Sequence, residues 1–199
     1  MKIFGDSISG NCLKVKWTAD YLSLDYEWAE TSVLTGETRT TSFLEMNPAG
    51  QVPVVILDDG RPLAQSNAII LHLAWGSGLI PSDPYNRSRM LEWMFWEQYS
   101  HEPYVAVARF QVRYLGKPHD ALSPDLVARA NGALDRLENA LTDLDWLVGD
   151  RFSLADLALL PYTRFAPEAG LSLGSRPHLS NWIKRCEGYL GLHVPGDAP

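Results

Sequence analysis

Residues 47–73 read NPAGQVPVVILDDGRPLAQSNAIILHL, and one proline in this stretch restricts what it can become. Pro53 has no N–H to give a sheet ladder. Placed just ahead of Val54, Val55, Ile56 and Leu57, it marks a strand start or a turn, with a cis bond among the options. Asp58, Asp59 and Gly60 turn the chain, and Arg61, Pro62 and Leu63 make a short returning strand. Gln65, Ser66 and Asn67 then supply capping residues to the apolar helical run from Ala68 to Leu73. The segment therefore predicts strand, hairpin, strand and helix N-terminus in that order.

Upstream, residues 2–4 predict a short strand and residues 6–10 a loop. Residues 11–22 predict a helix with Cys12, Val15, Ala19 and Leu22 on one buried stripe. A strand over 26–29 and a short helix over 41–46 complete a βαβαββα order. Turn formers between Gly76 and Pro84 interrupt this pattern, which sets an α/β domain at 1–76, a linker at 77–86 and an all-α domain at 87–199. In the latter, an aromatic-rich helix over 86–114 should kink at Pro103. Ser123 and Pro124 open a helix lined by Leu126, Ala130, Leu134, Leu137 and Leu141. A further helix begins at Ser153, and another near Pro177 carries Trp182, Ile183 and Cys186. Ser153 and Asp156 have the N-cap to N3 spacing of a capping box, and Phe152 and Leu157 that of a hydrophobic staple. This is a folding device with no catalytic role.

With 46% hydrophobic and 21% charged residues, the 199-residue chain is an ordinary soluble globular sequence with enough material for one large or two small cores. A net charge of -7 argues against nucleic acid and anionic membranes as partners. Cys12 and Cys186 form neither a metal motif nor a disulfide framework, which makes a reducing cytoplasm the expected location. His101 has no metal-ligand partner at helical spacing, so no metal is expected. The first residues lack a secretory h-region, and no apolar run approaches a bilayer span.

The order NP, xVP and then [EQ]SxAI, carried by Asn47-Pro48, Val52-Pro53 and Gln65-Ser66-Asn67-Ala68-Ile69, resembles the thioredoxin-like domain of glutathione transferases. The S/T-x-x-D box at Ser153 and Asp156 also sits in that family's helical domain, and the resemblance covers nearly the whole chain. It implies a thioredoxin-like N-terminal domain followed by an all-helical one, with glutathione as co-substrate. At the first strand-to-helix turn, Ser9 and Cys12 stand where redox relatives carry C-x-x-C. Counted back from Val15, Ser9 matches the activating Ser of the Ser-type classes (theta, delta, zeta), in the style of bacterial cytosolic members. Ser9 would donate to the glutathione sulfur and favour the thiolate, and helix capping is its plain alternative. Ser7 is the runner-up donor, two residues early. Cys12 is expected to be a buried, inert thiol, and Asn11 either caps the helix or assists at the sulfur.

The same resemblance assigns Val52, ahead of a cis Pro53, to pairing with the cysteinyl backbone. Gln65 and Ser66, with Asn67 as a weaker candidate, fall at the γ-glutamyl end, where a helix N-terminus also favours an anion. Gln51 faces the glycyl arm. Thr38 replaces a His common near the glycyl carboxylate, and Arg39 either substitutes for it or stays solvated. A hydrophobic substrate site between the domains would be lined by Ile8, Tyr104, Phe110, Tyr162 and Phe165, although aromatics on such helices are mostly core. Glu102, Arg109 and Arg113 share a helical face and read as a salt-bridge ladder. The expected protein is a detoxifying, cytoplasmic homodimer that conjugates the glutathione thiolate to hydrophobic electrophiles. A glutathione-dependent disulfide reductase and a non-catalytic binding module on the same fold are the alternatives.

Overall fold

The computed structural model describes residues 1–192. The chain divides into two compact units, the first covering Met1–Ser77 and the second beginning at Gly78.

The first unit holds β1 (Lys2–Gly5), α1 (Gly10–Tyr21), β2 (Glu27–Glu30), α2 (Thr41–Met46), β3 (Val54–Ile56), β4 (Pro62–Ala64) and α3 (Ser66–Leu73). The sheet order is β2-β1-β3-β4. β1 and β2 run parallel, as the α1 crossover requires, with Ile3 opposite Trp28. β3 is antiparallel to both β1 and β4, pairing Val55 with Ile3 and with Leu63. Ile3, Val15, Ala19, Val54, Val55, Ile69 and Ile70 have no exposed surface and form the core, with α1 and α3 packed together. The Val52–Pro53 bond is cis. Gly5 is the residue this sheet needs beside Trp28, because a Cβ there would lie 2.5 Å from the indole ring.

In the second unit, α4 (Pro84–Trp96) leads through a π-helical stretch (Glu97–His101) into α5 (Glu102–Arg113), followed by α6 (Pro124–Ala140), α7 (Leu154–Arg164) and α8 (Pro177–Leu190). α4 begins two residues before the expected start because Pro84 takes the first helical position and Asp83 caps it, accepting from Asn86 N–H at 2.8 Å. The break expected at Pro103 takes the form of the π-helical stretch. Pro103 has no N–H and its ring crowds the preceding turn, so the wider turn lies just ahead of it. Every residue of α7 from Leu154 to Thr163 is buried, which makes it the central helix of this unit. Leu79, within the stretch expected as linker, is buried, and its carbonyl accepts from Leu154 N–H at 3.0 Å.

The capping box at the start of α7 is present. Asp156 Oδ2 accepts from Ser153 N–H at 3.0 Å and from the Ser153 hydroxyl at 3.2 Å. Its Oδ1 accepts from Leu147 N–H at 3.0 Å and from the Trp182 indole N–H at 2.8 Å. Burial raises the Asp156 pKa above the usual carboxylate range, against the pull of these donors.

Candidate functional site

The loop from β1 into α1 decides which hydroxyl is available. Asp6 Oδ1 accepts from Ile8 N–H at 3.0 Å, an Asx-type turn, and Asp6 O accepts from Ser9 N–H at 3.0 Å. Glu30, at the end of β2, accepts from Ser7 N–H at 2.8 Å and from the Trp28 indole N–H at 2.8 Å, and it also bonds the Ser7 hydroxyl. Burial pushes the Glu30 carboxyl up, but the Trp28 and Ser7 donors outweigh it and hold it below its ordinary range. Ser7 is thus tied to the sheet.

Ser9 is the N-cap residue of α1, with φ −77° and ψ 124°, yet its side chain makes no capping bond. Its hydroxyl is hydrogen-bonded to the Cys12 sulfur, which also accepts from Asp6 N–H at 3.3 Å. Cys12 has no exposed surface, and burial pushes its thiol up to about 12 despite those two donors. An isolated thiolate is costly here, so alkylation by iodoacetamide at neutral pH should be at least tenfold slower than for an exposed cysteine. Cys12→Ala should keep conjugation within about threefold. Rapid alkylation with matching loss of turnover would make Cys12 the working group.

The second element is the start of α3. Gln65 adopts φ 71° and ψ 111°, a conformation that costs a non-glycine residue about 1–3 kcal/mol, and it makes no side-chain cap. The buried Ser66 donates its hydroxyl to Asn11 Oδ1 at 3.1 Å, and Lys14 Nζ donates to the same oxygen at 2.9 Å. Asn11 lies inside α1, one residue past its first, so it is not the cap. Asn67 is half-buried.

On the loop before β3, Arg39 Nη1 donates to Ala49 O at 3.4 Å. Gly50 sits at φ 61°, in the left-handed region that favours glycine, and a Cβ there would lie 2.5 Å from that guanidinium and displace it. Asn47 Nδ2 donates to the Gln51 carbonyl at 2.8 Å, which braces the backbone just before Val52. Thr38 is buried, while Arg39 and Gln51 are exposed.

In the second unit, the aromatic candidates have different surroundings. Tyr162 is buried in α7 and Phe110 is partly exposed, stacked on Tyr114 at 4.9 Å. The Tyr104 hydroxyl accepts from Arg129 at 3.4 Å. The Phe165 ring carries the Arg109 guanidinium 4.6 Å from its centroid and that of Arg164 at 5.4 Å. Arg109 is buried and pairs with Glu168 at 2.8 Å, so its role is to anchor the turn after α7 rather than to lie on a solvated face. His101 is buried too. Its Nε2 lies 3.0 Å from Thr163 Oγ1, whose hydrogen goes to Leu159 O, so the imidazole donates.

Lys14, which donates to Asn11, has a burial that sequence patterning missed. It falls off the apolar stripe of α1, yet it is fully buried.

Among the described residues, no His, Cys, Asp and Glu group could hold a metal ion, and no helix is long and apolar enough to cross a membrane. A small mixed sheet with a cis proline ahead of β3, followed by a helical second unit, defines a thioredoxin-like domain joined to an all-α one. Residues 8–74 match the N-terminal domain model of glutathione S-transferases, and residues 95–188 match the C-terminal one. The chain belongs to the glutathione S-transferase family. A crystal structure of a glutathione S-transferase from Pseudomonas fluorescens Pf-5 is 43% identical, with TM-score 0.92 and 98% of each chain covered. The glutathione S-transferase GstB of Escherichia coli K12 is 30% identical over 92% of this chain and 91% of its own. A more distant relative, 26% identical over 86% of this chain and 83% of its own, is the disulfide-bond oxidoreductase YfcG of the same organism.

Proposed function

We propose that this protein is a Ser-type glutathione transferase in which the first unit binds glutathione and Ser9 activates its sulfur for attack on a hydrophobic electrophile. The reading rests on one observation above others: the N-cap hydroxyl of α1 makes no capping bond to the helix backbone and is hydrogen-bonded to a sulfur, that of Cys12. Cys12 supplies a neutral acceptor, whereas a bound thiolate is charged and accepts about twice as strongly, so the hydroxyl turns to it. The helix start at Ser66 takes the γ-glutamyl carboxylate, Val52 the cysteinyl backbone, and Gln51 and Arg39 the glycyl arm. Gln65 and Asn67 contribute at the γ-glutamyl end, while Tyr104, Phe110, Tyr162 and Phe165 belong to the electrophile side. A cytoplasmic homodimer serving detoxification fits this chemistry.

A second reading, glutathione-dependent disulfide reduction, draws on the YfcG relationship. Titration with glutathione and glutathione disulfide, followed by assays of aryl-halide conjugation, disulfide reduction and peroxide reduction, separates the two. The main reading expects glutathione to bind and conjugation to exceed disulfide turnover. Dominant disulfide turnover would favour the second reading, and no glutathione binding would leave a non-catalytic module.

A further inference from the structure

The ligand contacts proposed above leave out Lys14, a fully buried lysine, and a buried lysine is rare. Its Nζ and the Ser66 hydroxyl both donate to Asn11 Oδ1, at 2.9 and 3.1 Å, across 55 residues of sequence between Asn11 and Ser66. A carboxamide oxygen has two lone pairs, and these two donors occupy both. The Ser66 hydroxyl has one hydrogen. If it turns to a ligand carboxylate, it must leave Asn11, and the Lys14 ammonium stays behind as a donor to that oxygen, which offsets the cost of the lost bond.

We propose that Lys14 is a positioning residue for the γ-glutamyl end of the ligand: as the second donor on Asn11 Oδ1, it lets Ser66 release its hydrogen to the carboxylate without stripping that oxygen. This rests on the assignment of Ser66 to the γ-glutamyl carboxylate. Lys14 does not touch the ligand. It acts through Asn11, and its effect should appear in affinity and not in the chemical step.

The test is a double-mutant cycle read by calorimetric titration with S-methylglutathione, whose blocked sulfur removes any thiolate contribution. Lys14→Met should weaken binding about tenfold, and so should Ser66→Ala. In the Ser66→Ala background, Lys14→Met should cost less than about twofold, since no hydroxyl remains to be released. Lys14→Gln retains an N–H donor and should stay within about threefold of wild type. In turnover, Lys14→Met should raise KM for glutathione while kcat and its pH profile are unchanged. Equal losses from Lys14→Met with and without Ser66 would reduce Lys14 to a packing role and overturn the proposal. Unchanged affinity for Ser66→Ala alone would instead remove the Ser66 assignment on which it rests. If Lys14→Met does not fold, Lys14→Ala enters the same cycle and is judged by the same coupling.

Discussion

Ser9→Ala should lower conjugation about ten- to a thousandfold, equivalent to about 1.4 to 4 kcal/mol of transition-state stabilisation, with glutathione affinity nearly intact. The hydroxyl makes no capping bond to α1, so its removal should leave folding almost untouched. What is lost is a donor to the thiolate. The thiol pKa, about 8.5 when unperturbed, should move up in the variant complex, and the rise of rate with pH should shift to higher pH with it. Ser7→Ala provides the contrast. Its backbone N–H and hydroxyl are taken by Glu30, so the variant should keep most of its activity. An inactive Ser7→Ala beside a fully active Ser9→Ala would transfer the donor role to Ser7.

Asp156→Ala should destabilise the protein by about 3–5 kcal/mol, well above the roughly 1 kcal/mol of a lost helix cap. The difference comes from partners outside the capping box. Beyond Ser153, the carboxylate holds the Leu147 backbone N–H and the Trp182 indole N–H, and truncation leaves both as buried donors without an acceptor. A fall in Tm of about 10 °C follows for a chain of this size, with specific activity of the folded fraction preserved within about twofold. Since Trp182 sits on α8, its fluorescence should report the loss. An unchanged Tm with a large fall in specific activity would show that Asp156 serves the chemistry and not the fold.

Local chemistry was enough for some of this architecture to be read from the sequence. The β3–β4 hairpin, the Ser123-Pro124 helix start and the Ser153–Asp156 box each involve residues a few positions apart, where backbone geometry restricts the outcomes to a small set. The family motifs around Val52-Pro53 and Gln65-Ser66 were legible for the same reason, as was the burial of Cys12 from its place on an apolar stripe. The remaining features depend on neighbours that sequence spacing does not reveal. Ser7 and Ser9 are similar hydroxyls in the sequence, and Glu30, 23 residues beyond Ser7, bonds the backbone and hydroxyl of one of them. Arg109 reads as part of a ladder on its own helix until Glu168, 59 residues away, is found bonded to it. Lys14 lies off the apolar stripe of its helix yet is fully buried, and the packing of α3 against α1 places Ser66 on the same Asn11 oxygen. Hydrogen bonds act over about 3 Å of space at any separation in sequence. Which hydroxyl is bonded to Glu30 and which amine reaches the Asn11 oxygen were therefore decided by the tertiary structure.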